Sequence, residues 1–356
     1  MGRVKSIIVK ALPKRFVFCY SRRSSFGLSL VKKIKAAIYG FTSDEWVIFE
    51  LDKNNRKEYL SEYDRYIFRQ KALSYRIVFD NKLLFYNVMK GLAPLNKLYA
   101  YKAYGRYVSC ESGFEYERII DRIKDNGKIV YKPTFEGGGG KNFVIIEYEQ
   151  DLNKFTMNRI DCTVSDIENL LCKTDNYILE EYCRQSDFEN LLFPDTVNTL
   201  RIITVEDEDA YKPVVIMQRI GSVKNACADN ASLGGLFCEV DIQTGELSSA
   251  FSYAPKLLFD KNGNKQSFSN HPTTDCTLKG KRIPNFDFYK SEACRIHEAI
   301  GYTGARFVAW DFALTNDGYR VIEGNTSSGM KFIQFHKGAR YSEIGMWMYK
   351  NGYINK

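Results

Sequence analysis

Residues 306–325 read RFVAWDFALTNDGYRVIEGN. Two largely apolar runs, Arg306–Leu314 and Tyr319–Glu323, flank Thr315-Asn316-Asp317-Gly318, a strong hairpin turn signal. The pattern predicts two antiparallel strands. Residues two apart on a strand share a face, so Glu323 and Asn325 present two oxygen ligands side by side. The hairpin brings Asp311 alongside them. Two carboxylates and an amide oxygen suit a hard cation that holds phosphate groups, namely Mg²⁺.

Upstream, Ile129-Val130-Tyr131 is a short strand running into Lys132-Pro133. Four glycines follow, Gly137, Gly138, Gly139 and Gly140, and then a strand over Phe143–Glu147. A glycine flap between strands frees backbone N–H groups to approach phosphate oxygens, and Lys132 can set an ammonium over the same group. No Gly-Lys-Ser/Thr opens a helix here, so this is not a P-loop. A further strand, Tyr177–Tyr182, ends in Glu180-Glu181-Tyr182, which by itself reads as an edge strand with charged residues, though its acceptors would also suit an adenine amino group and ribose hydroxyls. Strands over Asn198–Val205 and Pro213–Ile220 carry Arg201 and Arg219 among apolar neighbours. Arginine is rarely buried unpartnered. Its fork suits a phosphate or carboxylate ligand, or else a structural ion pair.

The chain has 356 residues and a formal charge of +8. Residues 1–40 hold ten basic side chains and no acidic one, so the remaining body is close to neutral. With 44% hydrophobic and 26% charged residues and no low-complexity tract, the chain reads as globular rather than disordered. The nine cysteines form no CxxC pair, and three histidines exclude a histidine-rich metal centre. Reduced thiols, no apolar run of spanning length and no secretory leader point to the cytoplasm. Residues 24–40 read as a basic amphipathic helix capped by Ser24 or Ser25. Its residues Leu30, Val31, Ile34, Ala37 and Ile38 lie within a ~120° arc. That stripe is assigned to the protein's own core, and the basic face to anionic lipid. Residues 41–110 read as helical. Beyond the glycine flap, strands and helices mix without a βαβ rhythm, which indicates α+β. Nucleic-acid binding is excluded, because the basic residues follow no RNP, helix-turn-helix or OB pattern.

In its order of lysine, glycine flap, paired acids, strand arginines, aspartate and Glu-x-Asn, the chain from about Asp80 to His336 resembles the ATP-grasp superfamily. It is most similar to the sugar-transfer-associated members found in surface-polysaccharide contexts. The resemblance rests on Tyr131-Lys132-Pro133, Glu180-Glu181-Tyr182, Asn198-Thr199-Leu200-Arg201, His271-Pro272, Trp310-Asp311 and Ile322-Glu323-Gly324-Asn325. It implies two α+β lobes clasping ATP. Lys82 and Lys132 would contact phosphates, with the glycines 137–140 over them and Glu180, Glu181 and Tyr182 as the adenine hinge. Mg²⁺ would be held by Asp311, Glu323 and Asn325. Arg201 and Arg219 would neutralise the transferred phosphoryl group, and His271 would touch substrate or take an amine's proton. Asp187 and Glu189 compete as the ribose acid.

The implied division is a basic helical segment over 1–75, an ATP-grasp domain over 76–336 and a C-terminal helix over 337–356. Within the domain, about 127–185 form the nucleotide lobe and about 196–336 the metal and substrate lobe. The implied reaction joins a carboxylate and an amine through an acylphosphate, on a saccharide that is free or lipid-linked. A sugar or polyol kinase and a non-catalytic nucleotide-binding scaffold are the alternatives. Residues 1–40 would hold the protein at the inner face of an anionic membrane.

Overall fold

The computed structural model describes residues 13–71, 73–135, 143–208, 210–222, 229–231 and 234–354. The four glycines 137–140 lie outside the described residues. Among the described residues six α-helices come first: α1 (Lys14–Ser21), α2 (Leu30–Ile38), α3 (Ser43–Ile48), α4 (Glu62–Lys71), α5 (Leu73–Asp80) and α6 (Lys82–Met89). The amphipathic helix is shorter than its sequence suggests. It starts at Ser29, whose side chain accepts from the Lys32 N–H, while the Ser24 hydroxyl is taken by Asp44 at 2.8 Å.

The first lobe contains β1 (Leu98–Ala103), β2 (Arg106–Ser109), α7 (Ile119–Asn126), β3 (Lys128–Pro133), β4 (Val144–Glu149), β5 (Lys154–Met157), β6 (Ile160–Cys162), α8 (Val164–Lys173) and β7 (Tyr177–Glu181). Its seven strands run in the order β2-β1-β7-β3-β4-β5-β6, antiparallel throughout. Ile119 and Ile123 of α7 and Ile167 and Leu171 of α8 cover one face, on Ile129, Tyr131 and Ile146. The helix expected through residue 110 ends at Met89 instead. Tyr104 and Gly105 both take positive φ (51° and 74°), the geometry of a two-residue hairpin turn, so residues 98–109 form a β-hairpin.

The second lobe contains α9 (Asp187–Leu192), β8 (Thr199–Asp207), β9 (Ala210–Ile220), β10 (Leu236–Glu239), α10 (Phe286–Ala299), β11 (Phe307–Thr315) and β12 (Gly318–Asn325), before the closing helix α11 (Glu343–Lys350). Its sheet order is β10-β9-β8-β11-β12, again antiparallel. The hairpin that opened the sequence reading is formed by β11 and β12, with Asp311 opposite Glu323. Leu247, Ala250 and Phe251 make only isolated bridges, to Val240, Phe268 and Phe237.

The two faces of this sheet have different fates. Leu200, Ile202, Val308, Trp310 and Phe312 face one core with α10 and with Phe79, Phe85 and Met89 of α5 and α6. Alternate residues on the other face, Ile203, Val205, Phe307 and Ala309, pack on Phe68 of α4 and Trp347 of α11. Followed two residues further along β8 and β11, that second face turns polar: its next members are Arg201 and Asp311. The apolar part anchors the N-terminal helices, and the polar part opens into a cleft.

Candidate active site

The cleft has a volume of about 500 Å³ and lies between the two sheets. The first lobe contributes Lys132 on β3 and Ile178 and Glu180 on β7. The second contributes Arg201, Arg219, Glu323 and Asn325. Lys82 reaches the cleft from the first turn of α6. That turn is fixed twice: the Asn81 side chain caps Leu83 and Leu84, and the Lys82 N–H donates to the Thr134 carbonyl at 3.0 Å, just past β3. Burial pulls the Lys82 ammonium below its ordinary value, and Lys132 adds to that, against Glu323 and Glu180. Lys132 is ion-paired with the buried Glu180.

On the second sheet each polar residue of the strands is tied to the next. Arg201 grips Asp311 through two parallel hydrogen bonds, Nε to Oδ1 at 2.6 Å and Nη2 to Oδ2 at 2.5 Å. Arg219 bridges Asp311 (2.9 Å) and Asp229 (2.7 Å). Burial alone would raise the Asp311 carboxyl, yet Arg201 and Arg219 hold it at about 2. Glu323 lies 3.7 Å from Arg201 and accepts from the Asn325 amide at 3.1 Å. Burial and the adjacent Asp311 charge raise its carboxyl above the ordinary value. Its side chain is 45% exposed toward the cleft. Gly324 between the two donors has a packing reason: a Cβ there would come within 2.8 Å of the Phe79 ring.

The segment Asn198-Thr199-Leu200-Arg201 is legible in the same terms. Asn198 donates to the carbonyls of Glu189 and Phe193 and accepts the Gly221 N–H. Thr199 donates to Asp229, and Arg201 to Asp311.

Not every residue singled out in the sequence reaches the cleft. His271 does not. It is buried and stacked on Phe193, and its Nδ1 accepts the Thr273 and Thr274 N–H groups, each at 3.2 Å. The proton therefore sits on Nε2, which donates to the Gly221 carbonyl at 2.7 Å. Burial lowers its pKa and keeps it neutral. Glu181 and Tyr182 line a separate depression with Tyr99, Lys128 and Arg184, and the Lys128 ammonium sits over the Tyr182 ring. Asp311 lies beneath the cleft wall and is almost fully buried. Glu189 is sealed in the interior against Gln218, whereas Asp187 is exposed and bonded to Asn316.

The sequence reading missed Asp229, the counter-charge of Arg219, and three arginines on α4 and α5, Arg65, Arg69 and Arg76, which also line the cleft. Arg65 and Arg69 are one helical turn apart, a spacing visible in the sequence. Nothing local in the sequence tells which way that face points.

Two antiparallel α+β lobes, one carrying Lys132 and the other an Asp/Glu/Asn hairpin, with Lys82 of α6 beside them, define an ATP-grasp protein. A model of the sugar-transfer associated ATP-grasp family matches residues 61–343, and the chain belongs to that family. Among solved structures it is similar to N5-carboxyaminoimidazole synthetase from Staphylococcus aureus complexed with ADP, at 13% identity and TM-score 0.38, covering 71% of this chain and 46% of that one. D-alanine–D-alanine ligase from Bacillus anthracis matches at 12% identity and TM-score 0.35, over 77% and 63% of the two chains. The ATP-grasp ligase PsnB, complexed with minimal precursor, Mg and ADP, matches at 12% and 0.37, over 75% and 56%. The chain thus spans roughly half to three-fifths of the length of these structures. Comparison with curated proteins gives no match.

Proposed function

We propose that the protein is an ATP- and Mg²⁺-dependent ligase that joins a carboxylate and an amine, one of them on a saccharide, in surface-polysaccharide biosynthesis. The observation that carries this reading is the cleft itself. It brings Lys132 of the first lobe and Lys82 of α6 together with Arg201, Arg219, Glu323 and Asn325 of the second lobe.

The donor set fits a hard divalent cation. Among the described residues no three His, Cys, Asp or Glu side chains gather to hold a metal. Glu323 and Asn325 nonetheless face the cleft with Asp311 behind them, and Mg²⁺ asks for only one or two carboxylates when phosphates complete its shell. When bound there, Mg²⁺ would neutralise and orient the phosphate oxygens. Lys132 holds the phosphates from the first lobe and Lys82 from α6. Glu180, which lines the same cleft as Lys132, is the hinge residue left for the adenine side, since Glu181 and Tyr182 line the separate depression.

The acceptor carboxylate attacks the γ-phosphorus and ADP leaves. The amine then attacks the acyl carbon, inorganic phosphate leaves, and the amine's proton passes to that phosphate. Arg201 and Arg219 stabilise charge on the phosphoryl group and on the later oxyanion.

A carboxylate acceptor fits better than a hydroxyl. A hydroxyl needs a general base. Among the described residues the cleft-lining carboxylates Asp80, Glu180 and Glu323 are all engaged by Arg76, Lys132 and Arg201, and no histidine lines the cleft. The test is phosphate release from Mg·ATP with candidate uronic acids. Release that depends on an added amine supports the ligase, and a stable phosphorylated sugar would replace it with a kinase.

We further propose that the N-terminal helices hold the protein at the inner face of an anionic membrane. The stripe of α2 does not enter the core as expected. Ala36 and Ala37 are buried, while Leu30 (63%) and Val31 (76%) are strongly exposed, with Ile34 and Ile38 beside them. The reason is angular: α1 and α3 cover the side of the helix that carries the two alanines. Among the described residues no helix is long and apolar enough to cross a membrane. In flotation with anionic liposomes, the Leu30→Ser/Val31→Ser double variant should lose most of the binding of the full chain. Equal flotation would overturn this placement.

A further inference from the structure

The N-terminal helices bring charge to the cleft as well as apolar surface. Arg65 and Arg69 of α4 and Arg76 of α5 line the same cavity as Arg201 and Glu323. They are there because Phe68, between the first two, is locked into the core against Phe307 and Trp347. Arg65 and Arg69, one turn apart, then share a face that the packing turns toward the cleft.

The three cations are unequally compensated. Arg65 is held by Glu62 through Nε at 2.9 Å and through Nη2, which leaves Nη1 unused by that pair. Arg76 gives Nε to Asp80 at 2.5 Å. Arg69 has no hydrogen bond or ion pair among the described residues. It is half-buried, and burial together with the like charges of Arg76 and Arg65 pulls its guanidinium below its ordinary value, against Asp80. A half-buried guanidinium beside two others is an unfavourable arrangement in an empty cleft and a favourable one around an anion. The mechanism proposed above uses none of the three.

We infer that Arg65, Arg69 and Arg76 form a second anion site in the cleft, apart from Lys82 and Lys132, which receives a phosphate group carried by the acceptor molecule. Donors from three side chains suit the several oxygens of a phosphate, whereas one arginine fork satisfies a lone carboxylate. The acceptor class is therefore a phosphorylated saccharide or a saccharide on a polyprenyl phosphate. The inference rests on the cleft being the reaction site, but the site can be read by binding alone.

The test is calorimetric titration of the full chain and its Arg69→Ala and Arg69→Lys variants. Glucose 1-phosphate, farnesyl phosphate, glucose and glucuronate serve as probes, each with and without saturating Mg·AMPPNP. At least one phosphate probe should bind the parent and lose about tenfold or more in affinity in Arg69→Ala, a loss typical of one charge-assisted contact. Arg69→Lys should recover part of it. Preference for the sugar phosphate assigns a soluble acceptor, and preference for the prenyl phosphate a lipid-linked one. Glucose should not bind. Phosphate binding that is equal in parent and Arg69→Ala overturns the site, because the probe then sits on Lys82 and Lys132. Glucuronate binding as tight as the phosphate overturns the phosphate assignment. If the parent fails to bind Mg·AMPPNP but keeps Arg69-dependent phosphate binding, the ligase reading falls and the anion site stands.

Discussion

Asp311 neutralises two guanidiniums from a buried position, and its substitution tests whether the polar end of the sheet is held by that clamp. Breaking a buried ion pair from one side typically costs about 3–5 kcal/mol. Asp311→Asn should lose stability on that scale in urea unfolding, since Arg201 keeps only the more distant Glu323. Glu189 offers the opposite case. Burial pushes its carboxyl up to about 8, with the nearby Asp229 charge adding to it, against the Gln218 hydrogen bonds. The folded chain thus keeps a proton that the unfolded chain releases near the ordinary 4.5. Its contribution to stability is complete below that value and is lost as pH rises through about 8. Glu189→Gln should remove this decline, so the variant gains on the parent by up to about 1.4 kcal/mol per pH unit across the window. Melting temperatures at pH 5.5 and 8.5 would show it, and parallel pH profiles of the two proteins would sink the idea.

Among the elements, α4 deserves the closest mechanical test. Its Phe68 meets Phe307 at 5.0 Å and Tyr353 at 4.8 Å, both edge-on, and it also touches Trp347. A buried Phe→Ala change costs about 3–5 kcal/mol, and Phe68→Ala should fall in that range. Because the same helix carries Arg65 and Arg69, the variant should also weaken acceptor saturation more than nucleotide binding. An unchanged acceptor KM in a destabilised Phe68→Ala would mean that α4 does not shape the cleft. The helix boundaries show what local signals can do. The Thr42/Glu45 capping box starts α3 where both residues stand in sequence. The hairpin at Tyr104-Gly105 escaped notice because tyrosine in a left-handed conformation gives no compositional warning.

At the scale of the molecule, the cleft walls belong to different sheets, so a ligand spanning them should couple the lobes. Mg·AMPPNP at a hundred times its Kd should add about 2.7 kcal/mol of stability, read as a rise in Tm. Lys132→Met should lose most of that rise, and its intrinsic stability, which reflects the lost Glu180 pair, is read without nucleotide. An equal rise in both proteins would move the nucleotide away from this cleft. The charge distribution acts at this scale too. The surplus of basic residues lies in the first 40 positions, and exposed Leu30 and Val31 stand among them.

By itself the sequence determined the second sheet and the order of its chemical groups. Strand alternation forces Glu323 and Asn325 onto one face, and the Asn316-Asp317 turn forces Asp311 beside them, with no help from the rest of the chain. Direction and burial were decided only by the tertiary structure. Which side of α2 stays wet, that His271 is walled in by backbone N–H groups, that Asp229 completes the arginine pair, and that α4 points its arginines into the cleft all depend on what packs against each element. Periodicity fixes the angles between side chains along one helix or strand, but the absolute orientation of that face is set by partners far away in the sequence.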